Sequence, residues 1–292
     1  MKTLDQRIRE DVTELYRDHI ILGAEAINKS NLLEVSAKGL PGYFCGDRDA
    51  KTVFVNLNPG IDAAKNDESL EYDERNEKFQ FNKQNLESYI ACYYEKSRRY
   101  GELFRNAGTI IDYFDLKQAA FLLPWENNGI DLPKDFYKGN KDTFFQTQEK
   151  SLMQHLQLEL LPYASNKFIP KKKHIQILLP YTETLLDEIF RVERKYVIFG
   201  SRLFCDLFKL LGDDSNKDFG IEFIRRKAPS EFSIVSKMHF SCELVKIRYK
   251  EKTQYAIIAN TFPSRALSTA LEKMYLYGKE CFEFYQSFVN KK

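Results

Sequence analysis

The chain is short of cysteine and histidine and has no long apolar run, and each shortage argues against a class of function. Five cysteines (Cys45, Cys92, Cys205, Cys242 and Cys281) are spread over 292 residues, an odd count without a Cys-x-x-Cys pair. This argues against a disulfide framework, a zinc site or an iron–sulfur cluster. The four histidines (His19, His155, His174 and His239) fall outside the strand-ending turns identified below and form no metal or triad pattern with a Cys or an acid at suggestive spacing. No cofactor or metal is therefore expected. No apolar stretch approaches the ~20 residues of a membrane span. The first residues, Met1 to Arg7, are charged and amphipathic rather than signal-like, so a cytoplasmic location is expected. The formal net charge is only +2, too little for a global field that attracts nucleic acid. The positive charge is clustered in Lys171-Lys172-Lys173-His174, Arg225-Arg226-Lys227 and Arg98-Arg99, runs that serve either as solvated loops or as phosphate contacts.

What is present is a large globular chain, long enough to bury a full core and rich in Phe and Tyr. Residues 4–35 carry apolar positions at helical spacing, with Thr3 and Asp5 as candidate caps. Further helices are expected over 85–100, 103–114, 143–161, 181–192, 203–211 and 267–289. Strand-like segments are expected at 232–235 and 244–249. Four short apolar runs, 53–57, 119–123, 196–199 and 255–259, each end in a polar or Gly/Pro turn. Their alternation with helices predicts an α/β protein: three layers, a central, mostly parallel four-stranded sheet with helices on both faces, and an N-terminal helical elaboration over 1–44. No linker or repeat divides the chain, so residues 1–292 read as a single domain. In such sheets ligands bind at the C-terminal ends of the strands, where all four turns converge.

The first of these turns is the most informative. Val53-Phe54-Val55-Asn56-Leu57-Asn58-Pro59-Gly60 resembles the first motif of the uracil-DNA glycosylase superfamily, in the form found in its mismatch-specific thymine/uracil branch. Thr261-Phe262-Pro263-Ser264-Arg265-Ala266-Leu267-Ser268 resembles the second motif, a Pro-Ser turn followed by a residue inserted into the duplex. Leu122-Leu123-Pro124-Trp125 resembles the end of the family's second strand, and Lys195-Tyr196-Val197-Ile198-Phe199-Gly200 its third. In order, these pieces cover roughly residues 45–290.

The resemblance implies a DNA glycosylase that flips a nucleotide from the duplex and hydrolyses its N-glycosidic bond. Asn58 takes the water-positioning place; an amide orients a water but is a poor general base. Asp62, four residues on, supplies a carboxylate or caps a helix, and Asn56 is a third candidate. Gly60 either leaves room for a base with a 5-substituent, where strict uracil enzymes carry a Tyr, or only serves the turn. Phe262 stands where those enzymes have a His that donates to the leaving base. The base-reading Asn at the end of the family's second strand falls on Phe121 or Leu122. Trp125 stacks on the flipped base or packs in the core. Ser264 meets a phosphate at a helix N-terminus or is a plain cap. Arg265 reaches a phosphate or enters the duplex, and Leu267 is a wedge or a core residue. Gly200 and Ser201 complete the DNA-binding candidates. DNA is thus the expected partner of a protein favoured as a monomer. Gly60 and the missing uracil-reading residues point to a damaged or modified base, such as a 5-substituted or hypermodified pyrimidine. Repair, or action on modified phage DNA, would be the setting. The alternative is a glycosylase-like nucleic-acid or nucleotide binder that does not cleave.

Overall fold

The computed structural model describes residues 2–30, 33–57, 84–98, 113–129, 154–165, 175–213, 218–234, 240–260 and 270–290. The N-terminus forms α1 (Leu4–Asp18), opened by a capping box. The Gln6 amide N–H donates to Thr3 Oγ1 at 3.2 Å, and the Thr3 N–H donates back to Gln6 Oε1 at 2.8 Å. Thr3, rather than Asp5, is therefore the cap. His19 adopts a left-handed conformation (φ 54°) that ends α1, and α2 (Leu22–Lys29) follows. The helical pattern over residues 4–35 is thus two helices with a sharp stop between them.

Seven strands form one mixed sheet: β1 (Phe44–Gly46), β2 (Thr52–Asn56), β3 (His155–Glu159), β4 (Tyr196–Phe199), β5 (Phe219–Lys227), β6 (Cys242–Tyr249) and β7 (Lys252–Ala259). Their order is β1-β3-β2-β4-β7-β6-β5. The central four, β3-β2-β4-β7, are mutually parallel; β1 joins one side antiparallel, and β6 and β5 the other. The remaining described helices are α3 (Leu86–Arg98), α4 (Tyr113–Glu126), α5 (Ile175–Ile189), α6 (Leu203–Asp213) and α7 (Leu271–Val289). The α/β class is as expected. The sheet is broader and more mixed than the expected four strands, because the hairpin strands β5 and β6 and the short β1 extend it.

Two sequence readings are corrected here. The apolar run 119–123 is not a strand but the middle of α4, with Pro124 inside that helix. A helix buried on all sides shows no amphipathic stripe, so a short apolar run cannot be told from a buried strand by pattern alone. Conversely, 155–159, expected within a helix over 143–161, is β3, the second parallel strand in chain order. Residues 232–234 form no strand; they follow a 3-10 turn at Pro229–Glu231.

The pleat divides the core in two. Val53 and Val55 of β2, Leu156 and Leu158 of β3, and Val197 and Phe199 of β4 face a cluster with α1, α3, α5 and α6. Phe54, Ile198, Ile257 and Ala259 face a second cluster with α4 and α7. The two helices of that second layer cross closely. A Cβ built on Gly278 of α7 would lie 2.0 Å from the Phe121 carbonyl oxygen of α4, so only glycine fits the crossing. At the opposite end of the strands, Arg48 joins the N-terminal helix to α5, bonding Asp5 (Nη1–Oδ1 2.7 Å) and Glu188 (Nη2–Oε2 2.5 Å).

Candidate functional site

In chain order the four parallel strands run 2-1-3-4 across the sheet. The direction of winding reverses between β2 and β4, and a doubly wound sheet opens its ligand crevice beyond the C-terminal ends of the strands at such a point. Asn56 closes β2 there. Gly200 follows β4, its N–H donating to the Val55 carbonyl at 2.8 Å. Ser201 Oγ accepts from the Leu203 N–H at 3.2 Å and so serves the start of α6. Asn260 follows β7, with Nδ2 on Ser241 Oγ at 2.5 Å and its buried Oδ1 unbonded.

The α4-facing side of β3 is polar throughout. Its inward positions there are His155, Gln157 and Glu159, between Leu156 and Leu158, which face the other way. Strands of a parallel core are ordinarily near-continuous apolar runs, and buried polar groups are costly unless bonded. Here they are bonded into one chain. Asn56 Nδ2 donates to Gln118 Oε1 at 3.0 Å and to Glu159 Oε1 at 3.3 Å. Gln157 Nε2 donates to the same Glu159 oxygen at 2.8 Å. Gln118 Nε2 donates to Gln157 Oε1 at 2.8 Å and lies 3.1 Å from His155 Nε2. His155 Nδ1 lies 3.4 Å from Glu126 Oε1. Asn56, Gln118, His155 and Glu159 are each no more than 7% exposed.

The roles within this chain follow from one another. Glu159 Oε1 accepts, so Gln157 turns its NH2 toward it and its carbonyl toward Gln118. Gln118 then presents its NH2 to Gln157 and to His155, and its carbonyl to Asn56. His155 Nε2 must accept, which places the proton of a neutral ring on Nδ1, facing Glu126. Asn56 spends both N–H bonds on Gln118 and Glu159. Its Oδ1 accepts no bond among the described residues. Lys117, also buried, adjoins Gln118 on α4, and burial lowers its pKa. Such a fixed set of dipoles at a strand terminus is suited to orienting a ligand group without reorganising.

Of the expected site residues, Asn56, Gly200 and Ser201 lie at the switch point. Phe121 and Trp125 are on α4 instead, fully buried in the second core cluster. The Trp125 ring packs against Tyr196, Phe282 and Tyr285 with centroids 5.3–5.6 Å apart, and its Nε1 has no acceptor. Asn58, Gly60, Asp62, Phe262, Ser264, Arg265 and Leu267 lie outside the described residues. Sequence reasoning missed Gln118, Gln157 and Glu159, and it placed His155 outside any constellation, whereas the ring joins two side chains of α4. The alternation His-Leu-Gln-Leu-Glu was the available signal, with a period of two and a polar inward face.

The basic run Arg225-Arg226-Lys227 is neutralised along β5 and its neighbours. Arg225 pairs with Glu231 at 2.9 Å, Arg226 with Glu243 at 3.5 Å and Lys227 with Glu280 at 2.7 Å. All five thiols are free. Among the described residues no group of three or more His, Cys, Asp or Glu could hold a metal ion, and no helix is long and apolar enough to cross a membrane. Comparison of the chain with family models, with curated proteins and with solved structures finds no match.

Proposed function

We propose that this protein is a DNA glycosylase of the uracil-DNA glycosylase type, which hydrolyses the N-glycosidic bond of a damaged or modified base after flipping it from the duplex. The observation that carries the reading is the placement of Asn56. It closes the first parallel strand at the switch point, with its amide locked by Gln118 and Glu159, immediately before the Leu57-Asn58-Pro59-Gly60 segment that resembles the family's first motif. The four-stranded parallel core and the helices on both faces are consistent with the same reading.

In the reaction the oxygen of a water bonds to the anomeric carbon. The N-glycosidic bond breaks, its electron pair leaves with the base, and the proton released from the water ends on the base or in solvent. Positive charge builds on the sugar and negative charge on the base, so fixed dipoles and negative groups near the sugar lower the barrier. Asn58 orients the water in this scheme. The buried seam behind Asn56 supplies the fixed dipoles at the strand ends. Phe262 cannot donate to a leaving base, which favours a base that departs without help from that place.

The Asn58→Ala variant tests this reading. An enzyme loses at least about 100-fold in turnover while DNA affinity stays within about twofold. A variant that cleaves like the parent removes Asn58 from the mechanism. Phe262 also favours a second reading, a binder that recognises the base without cleaving it. In that case neither protein releases base, and the substitution changes binding alone.

A further inference from the structure

The seam fixes more than the position of Asn56; it fixes which end of the amide a ligand meets. A free asparagine can turn either its carbonyl or its NH2 outward. Here Gln118 Oε1 and Glu159 Oε1 both accept from Nδ2. Gln118 cannot turn over, because its own Nε2 is held by Gln157 Oε1 and His155 Nε2. Gln157 is held in turn by Glu159. A flip of Asn56 would bring its oxygen against two acceptors, and the cost of facing acceptors in a buried site exceeds that of an ordinary lost bond. The amide plane therefore turns Oδ1 away from Gln118 and Glu159, in a side chain only 5% exposed. The C-terminal end of β2 thus carries an acceptor, backed by a glutamate.

We infer that Asn56 Oδ1 receives the exocyclic amino group of a cytosine-type base, so that the substrate is a modified 4-aminopyrimidine rather than a uracil- or thymine-type base. This rests on the glycosylase reading above. A 4-amino group places a donor on the acceptor. A 4-oxo group places oxygen against oxygen with the Glu159 carboxyl group behind it, and neither side can turn over to relieve the contact. Gln118, Gln157 and Glu159 are positioning residues in this scheme, acting through Asn56.

The test uses two duplexes that differ by one isosteric exchange, 5-hydroxymethylcytosine or 5-hydroxymethyluracil, each opposite guanine. Binding is read by fluorescence anisotropy and abasic sites are counted in the same samples. The mispaired hydroxymethyluracil flips more readily, so the comparison is weighted against the inference. Wild type is expected to bind the amino base at least about tenfold more tightly. In Asn56→Leu, which keeps the bulk of the side chain and removes the acceptor, the ratio should fall at least threefold. Equal affinity, preference for the oxo base, or no binding to either overturns the inference, and the wild-type comparison alone decides this if the variant does not fold. Abasic sites formed only from the oxo base would overturn the inference and leave the glycosylase reading standing. Selective binding of the amino base without abasic sites would support the inference and overturn cleavage.

Discussion

Asn56 and Glu159 close adjacent parallel strands in register, and the Asn56 amide donates to the Glu159 carboxyl group at 3.3 Å. The two residues are 103 positions apart in the chain, and Gln118, the second acceptor for the same amide, is 62 positions from Asn56. The pair ties the first two strands of the parallel core together at their C-terminal ends, and Gln118 of α4 covers it.

Gln118 is the node of the seam, and replacing it exposes how much the seam holds. Gln118→Leu removes partners from Asn56, Gln157 and His155 at once and leaves Asn56 and His155 buried. A loss of about 2–4 kcal/mol of stability is expected, seen as a lower urea midpoint with an unchanged slope. A loss below about 0.5 kcal/mol would show that these groups rebond among themselves and that the fixed order of donors and acceptors is not enforced.

The α4–α7 crossing makes a sharper structural prediction. At Gly278 an added methyl group meets the Phe121 backbone oxygen, not a movable side chain. Gly278→Ala should therefore cost at least about 2 kcal/mol by forcing the helices apart, despite alanine's better helix propensity. Chemical denaturation of the variant checks this, and a neutral or stabilising result would place the helices farther apart than described.

Asp11 of α1 supplies a pH dependence. Burial raises its pKa from 3.8 to about 6, although hydroxyl donors, including Tyr43 at 2.7 Å from Oδ2, partly offset the shift. The folded state then binds more protons than the unfolded state between about pH 4 and 6, so stability contributed at this site falls as pH rises through that window. Asp11→Asn keeps an acceptor for Tyr43 and removes the charge. It should raise stability at pH 7 by about 1–3 kcal/mol and little or not at all at pH 4. Urea titrations of both proteins at the two pH values read this directly; equal gains at both would remove the carboxylate as the cause.

The expected strand at 244–249 is β6, and the parallel strands legible in the sequence were those whose residues are apolar on both faces. Val53-Phe54-Val55, Val197-Ile198-Phe199 and Ala256-Ile257-Ile258 are all wholly buried, and each is a parallel strand. β3 escaped because one of its faces is polar, so its leucines joined a helical spacing with residues upstream. α4 was mistaken for a strand because Ala119 to Leu123 is buried all round, between the sheet and α7. Asn56 could be singled out from its place at a strand end. Its partners could not, since Gln118 and Glu159 come from two distant segments that only the fold brings together. Trp125, readable either as a stacking platform or as core, is core because Tyr196, Phe282 and Tyr285 surround it.

The most direct measurement of the central claim is the release of base from DNA. Duplexes carrying uracil, thymine mispaired with guanine, or 5-substituted cytosines are incubated with the protein, and abasic sites are counted by alkaline strand cleavage. The glycosylase reading predicts abasic sites at one or more of the modified pyrimidines, without added metal. Folded protein that binds these duplexes and leaves every glycosidic bond intact would contradict it.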